Sequence, residues 1–174
     1  MRATLDAIYK ASGVAAGCFL VAIALFSLAQ IVARMFGATG HSLDEFAGYA
    51  MAASSFLGLA YTLRAGEHIR MSLAIDRMRG GMRRSVEIAC LVCAVGLVGW
   101  FAWATLDMTL TSFQLGDVSQ GLVAVKLWIP QSGMALGLWI LLLALVDDLV
   151  ATLRGKDASY IAPHASEGGA TFER

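Results

Sequence analysis

The chain has 174 residues, of which 58% are hydrophobic and only 15% charged, and its 13 Lys and Arg balance its 13 Asp and Glu. A nucleic-acid binder needs a surplus of positive charge and an ordinary soluble domain a more polar composition, so both classes are excluded and no nucleic-acid partner is expected. The three cysteines, Cys18, Cys90 and Cys93, stand inside apolar runs and read as small buried hydrophobes, not as the framework of a secreted disulfide domain.

The first apolar run covers residues 11–33 and follows Arg2 and Lys10. It exceeds the about 7–15 residues of a signal-peptide core, so it is expected to remain as a signal anchor. After it, "GATGHSLDEF" supplies Gly37 and Gly40 for a turn, then Ser42 and Glu45 in the spacing of a capping box. Asp44 and Glu45 are expected at the positive end of the second helix dipole, in a capping role ahead of a catalytic one. The second run covers 46–63.

Next comes "RAGEHIRMSLAIDRMRGGMRR", residues 64–84, with six of the 13 Lys and Arg. Met71, Ile75, Met78 and Met82 recur on one helical face and Arg70, Arg77 and Arg84 on another. This pattern predicts a short amphipathic helix in the membrane interface, interrupted by Gly80 and Gly81. The third run, 88–106, contains Cys90 and Cys93 near its start; a reducing compartment there argues against disulfide chemistry. The fourth run, 127–146, opens with Trp128, suited to an interfacial aromatic belt, and Pro130, suited to a first helical turn. Trp100, Trp103 and Trp139 are left open between lipid, core and partner. Residues 151–174 read as a polar, disordered tail.

Each run approaches the ~20 residues with which a helix crosses a bilayer core of about 30 Å. A soluble bundle would show a polar face every turn, and these runs do not. The expected fold is therefore an all-α membrane protein of four transmembrane helices over residues 1–150, with the interfacial helix between the second and third, and a tail at 151–174. Of the 13 Lys and Arg, all but Arg34 and Lys126 fall in segments 1–10, 64–87 and 147–174. The positive-inside rule then predicts a multi-pass protein with both termini in the cytoplasm, its arginine loop beside anionic lipid headgroups.

Chemistry is harder to place in these runs. None contains an ionisable residue, every Asp and Glu standing at a run's end or beyond, which argues against a self-sufficient pump. His41, His68 and His164 all lie outside the runs, so axial haem ligands are not expected. No catalytic, metal or cofactor site is predicted. Small residues are more informative: Gly13 and Gly17, Gly133 and Gly137, and the ladder Ala50, Ser54 and Gly58 let helix backbones approach closely.

Three features together resemble a known family. They are the acidic pair Asp44 and Glu45 opening the second helix, the exit "FLGLAYTLRAGEHIRM" with Arg64, Gly66 and His68, and the opening "LWIPQSGMALGL" with Trp128, Pro130 and Gly137. The chain resembles the small membrane subunit, DctQ type, of tripartite ATP-independent periplasmic (TRAP) transporters, from about residue 8 to residue 150. Where that family often has a second proline, this chain has Ala135.

The resemblance implies a bacterial inner-membrane protein and two partners. One is a large multi-spanning transport subunit that holds the substrate and sodium sites; the other is a periplasmic solute-binding protein that captures a carboxylate or acidic sugar. The small subunit is implied to extend a static scaffold within the lipid bilayer. Two other functions stay open on the residues alone: a stand-alone oligomeric channel or exporter, and a quinone- or haem-linked anchor of an oxidoreductase. Arg64 and His68 share one face on a continuing helix and are expected to matter for assembly, whereas Arg83 and Arg84 are expected to be replaceable, lipid-facing charges.

Overall fold

The computed structural model describes residues 2–37, 41–64, 81–121 and 123–154. They form four helices: α1 (Arg2–Met35), α2 (His41–Arg64), α3 (Gly81–Leu115) and α4 (Trp128–Leu153). All four are long and apolar enough to cross a membrane. In lipid no water is present to satisfy a bare peptide group, so a run that crosses must close its hydrogen bonds within itself, as a helix does.

Each helix outruns the uncharged stretch that predicts it. α1 has 34 residues and α3 has 35, about 50 Å at 1.5 Å per residue against a hydrocarbon core of about 30 Å. A charge ends an apolar run without ending a helix, because backbone hydrogen bonds continue into the polar interface.

Glycine provides two of the stops. Gly37 has φ 73° and donates its N–H to the Arg34 carbonyl at 3.1 Å; Gly116 has φ 68°, and Asp117 N–H reaches back to Ser112 O at 3.1 Å. A left-handed residue with such a closure satisfies carbonyls that the helix end leaves open.

In space the helices follow the order α1, α2, α4, α3. α1 packs on α2, α2 on α4 and α4 on α3; among the described residues α3 packs on neither α1 nor α2. The arrangement is a row with α1 and α3 at its edges, α1 also touching α4. Because α1 and α3 run antiparallel to α2 and α4, the row has two distinct ends. At the hairpin end lies the α3–α4 connection, where Val118 and Lys126 pair in antiparallel fashion, Ser119 N–H bonds Val125 O at 2.8 Å and Leu127 N–H bonds Asp117 O at 3.0 Å. At the arginine end lie the start of α3 and the end of α4.

The core sits toward the arginine end. Buried Tyr9 of α1 joins Ala60 and Leu63 of α2, Leu91 of α3 and Leu141, Ala144 and Leu145 of α4. Three threonines are satisfied within their own helices: Thr105, Thr109 and Thr152 each donate to the carbonyl four residues back, at 2.6, 2.7 and 2.9 Å.

Two expectations need correction. Cys18 and Cys93 are exposed on outward faces and Cys90 is half-buried, so the cysteines are not core residues; on an edge helix most side chains have no neighbouring helix to cover them. The apolar runs hold no Asp or Glu, but the helices extend past them and so take in Glu87, which is buried, Asp107 and Asp148, which is 2% exposed. Met82 and Arg84, assigned above to an interfacial helix, belong to α3. The remainder of that proposed helix, residues 65–80, lies outside the described residues, as do Gly40 and the tail from 155 onward.

Candidate functional site

Two backbones approach closely in the seam between α2 and α4. A Cβ on Gly137 would stand 2.5 Å from the Phe56 carbonyl carbon and 2.8 Å from Leu57 N, so only hydrogen fits where the two backbones cross. One turn earlier a Cβ on Gly133 would stand 3.3 Å from Ala53 Cβ. The Gly133 and Gly137 pair thus does what small residues do between membrane helices: it brings backbones into van der Waals contact where lipid supplies no hydrophobic drive.

The α1–α2 seam uses the predicted ladder. Ser54 Oγ donates to Ala16 O at 2.9 Å, a buried hydrogen bond between helices. Gly58 faces Ala16 and Gly13 lies under the Tyr61 ring, while Gly17 has open space where a Cβ would go. Only half of the first glycine pair is therefore used.

A clasp closes the hairpin end. The Glu45 carboxylate accepts a short hydrogen bond from Tyr49 Oη and another from the Ser119 hydroxyl. Ser119 also reaches Val123 O at 3.2 Å, so its single proton serves one acceptor at a time. A Cβ on Gly121 would overlap the Glu45 carboxylate. Phe46 extends the clasp to α1, with its ring 6.1 Å from that of Phe26 and 6.4 Å from that of Tyr49.

At the arginine end Arg84 Nη2 donates to Thr152 O and Leu153 O, each at 3.3 Å. These are carbonyls that the end of α4 leaves open, where a cation also compensates the helix dipole. Arg84 thus caps a neighbouring helix, a contact that its reading as a lipid-facing charge did not include.

The site residues expected from sequence are distributed and not gathered. Asp44 lies exposed in the first turn of α2. Glu45 holds the hairpin, and Trp128 stacks edge-on against Phe113 at 5.5 Å. Pro130 occupies the first turn of α4, where its missing N–H leaves no bond unmade. Gly137 forms the seam. Arg64 ends α2, and Gly66 and His68 fall outside the described residues. Sequence reasoning missed Ser119 and Gly121, because a clasp between segments about 70 positions apart leaves no local pattern, and it missed Tyr49 although that residue stands one helical turn from Glu45. Among the described residues no three His, Cys, Asp or Glu side chains are grouped to hold a metal ion.

Such a fold defines a multi-pass membrane protein whose recognisable devices are helix-packing seams and end clasps. A family model described as the DctQ component of tripartite ATP-independent periplasmic transporters matches residues 23–155, and the chain belongs to that family. It is thus a small membrane subunit of a TRAP transporter. No curated protein matches the chain.

Proposed function

We propose that the chain is the stationary scaffold of its transporter. It holds a large multi-spanning subunit in the bacterial inner membrane while that subunit, served by a periplasmic solute-binding protein, takes up an acidic solute with sodium. The chain itself binds no solute, carries no cofactor and catalyses no reaction. Both termini lie in the cytoplasm, so the arginine end is cytoplasmic and the hairpin end periplasmic.

One observation carries this reading. The helices form a row fixed by backbone-to-backbone crossings at Gly137 and Gly133, and such crossings resist sliding because no flexible side chain stands between them. The row leaves long apolar edges open for a partner and for lipid. The family's tripartite composition supplies the partners, and the bias of Lys and Arg supplies the orientation.

The test is purification in mild detergent from cells that express all components of the transporter. A large multi-spanning protein should accompany the chain in fixed proportion. Recovery of the chain alone, or with a visible haem absorption band, would contradict the proposal.

A further inference from the structure

Contacts along the row fix the level of each residue of α3 against its neighbours. Phe113 meets Trp128, Gly99 faces Leu142, and Arg84 reaches Thr152 and Leu153. By that antiparallel register Asp107 stands level with about Met134, roughly six residues or 9 Å inside α4. Gly133 rests on Ala53, and Ser54 bonds Ala16, so the same level passes through the middle of α2 and through α1 near Ala16. These are the interiors of the apolar runs 127–146, 46–63 and 11–33. On α1, farther still toward the hairpin end, Leu20, Val21, Leu25 and Leu28 are exposed, a surface made for lipid.

α3 presents something else at this depth. Asp107, Thr111 and Gln114, spaced by four and three residues, form one polar stripe and are all exposed. The Asp107 carboxylate has no hydrogen-bond or ion-pair partner among the described residues. Toward the arginine end the same face continues through exposed Ala104 to Trp103 and Trp100, which are exposed by 67% and 75%. An ionisable side chain turned toward hydrocarbon is costly, and such residues in membrane helices face protein or a protein-walled cavity.

We infer that the Asp107, Thr111 and Gln114 stripe of α3 is the surface that receives the large transport subunit, through a helix offering a cationic or strong hydrogen-bond donor to Asp107. The inference rests on the scaffold reading and specifies its contact face. Charge complementarity selects this occupant over a second copy of the chain, because the apolar runs contain no Lys or Arg and a copy would set carboxylate against carboxylate. Trp100 and Trp103 add rigid apolar area of the kind that anchors protein interfaces. Ala104, between the tryptophans and the carboxylate, leaves room for a second backbone to come close.

A photo-crosslinking amino acid placed at Ala104 or Thr111 in the complete transporter tests the assignment, with Leu25 and Leu28 of α1 as lipid-facing controls. The α3 positions should give adducts with the large subunit, and the α1 positions should give none with protein. Asp107→Leu should lower the large subunit recovered with the chain severalfold, whereas Asp107→Glu should restore it. Adducts with a second copy, or adducts with the large subunit from α1 and not from α3, would overturn the inference and leave the scaffold reading standing. Unchanged recovery with Asp107→Leu would also overturn it. If the unsubstituted chain brings down no large subunit, the scaffold reading fails and the inference with it.

Discussion

Gly137→Ala isolates the central crossing of the row. The added Cβ would stand 2.5 to 2.8 Å from backbone atoms of Phe56 and Leu57, whereas ordinary contact begins near 3.4 Å. Neither neighbour can rotate away, since both are main chain, so α4 must withdraw from α2 by about 0.9 Å. That withdrawal loosens the packing of Leu141, Ala144 and Leu145 in the core. Overpacking of this kind costs about 1–3 kcal/mol, offset by up to ~1 kcal/mol because alanine is the better helix former.

Gly17→Ala supplies the control, with open space at that position; Gly133→Ala falls between, because Ala53 Cβ at 3.3 Å yields by a few tenths of an ångström. Melting of the purified chain in one detergent should therefore rank Gly17→Ala at or above the unsubstituted protein, Gly133→Ala near it and Gly137→Ala lowest. Equal melting of Gly137→Ala and Gly17→Ala would refute the claim that the backbones touch.

Three further outcomes are expected. Gly121→Ala should loosen the hairpin, seen as faster modification of a cysteine introduced at Gln120, and adding Glu45→Ala should reverse most of that change by removing the overlapping carboxylate; absence of reversal would contradict the clasp. Arg84→Gln should lower stability by about 1 kcal/mol through loss of two charge-assisted bonds at a partly exposed site, read as a lower melting temperature, with unchanged melting counting against the cap. An impermeant thiol reagent added from the periplasm, in a chain whose native cysteines are replaced, should label a cysteine at Gln120 and spare one at Arg154; the reverse pattern would invert the topology.

The four helices are legible in the sequence because lipid imposes a length and a composition on any crossing segment. Their ends are less so: Glu87, Asp107 and Asp147 bound apolar runs without ending helices, and a reading guided by charge stops early at each. The glycine pair in α4 announces a close crossing, yet the equally regular pair in α1 uses only Gly13, since motif spacing says nothing about which neighbour lies opposite. In sequence Arg84 looks like one of several similar arginines, and only the antiparallel approach of α3 and α4 brings it to the end of α4. Similarly, Asp107 gains its meaning from depth, which depends on the register of α3 against α4 and not on any neighbour in sequence.

Sodium-driven uptake into proteoliposomes tests the central claim most directly. Vesicles would carry the large subunit with or without this chain, and would be supplied with the periplasmic binding protein loaded with its solute. The scaffold account predicts uptake only when the chain is present, and no flux through vesicles holding the chain alone. Full-rate uptake without it, or solute passage through the chain by itself, would contradict the account.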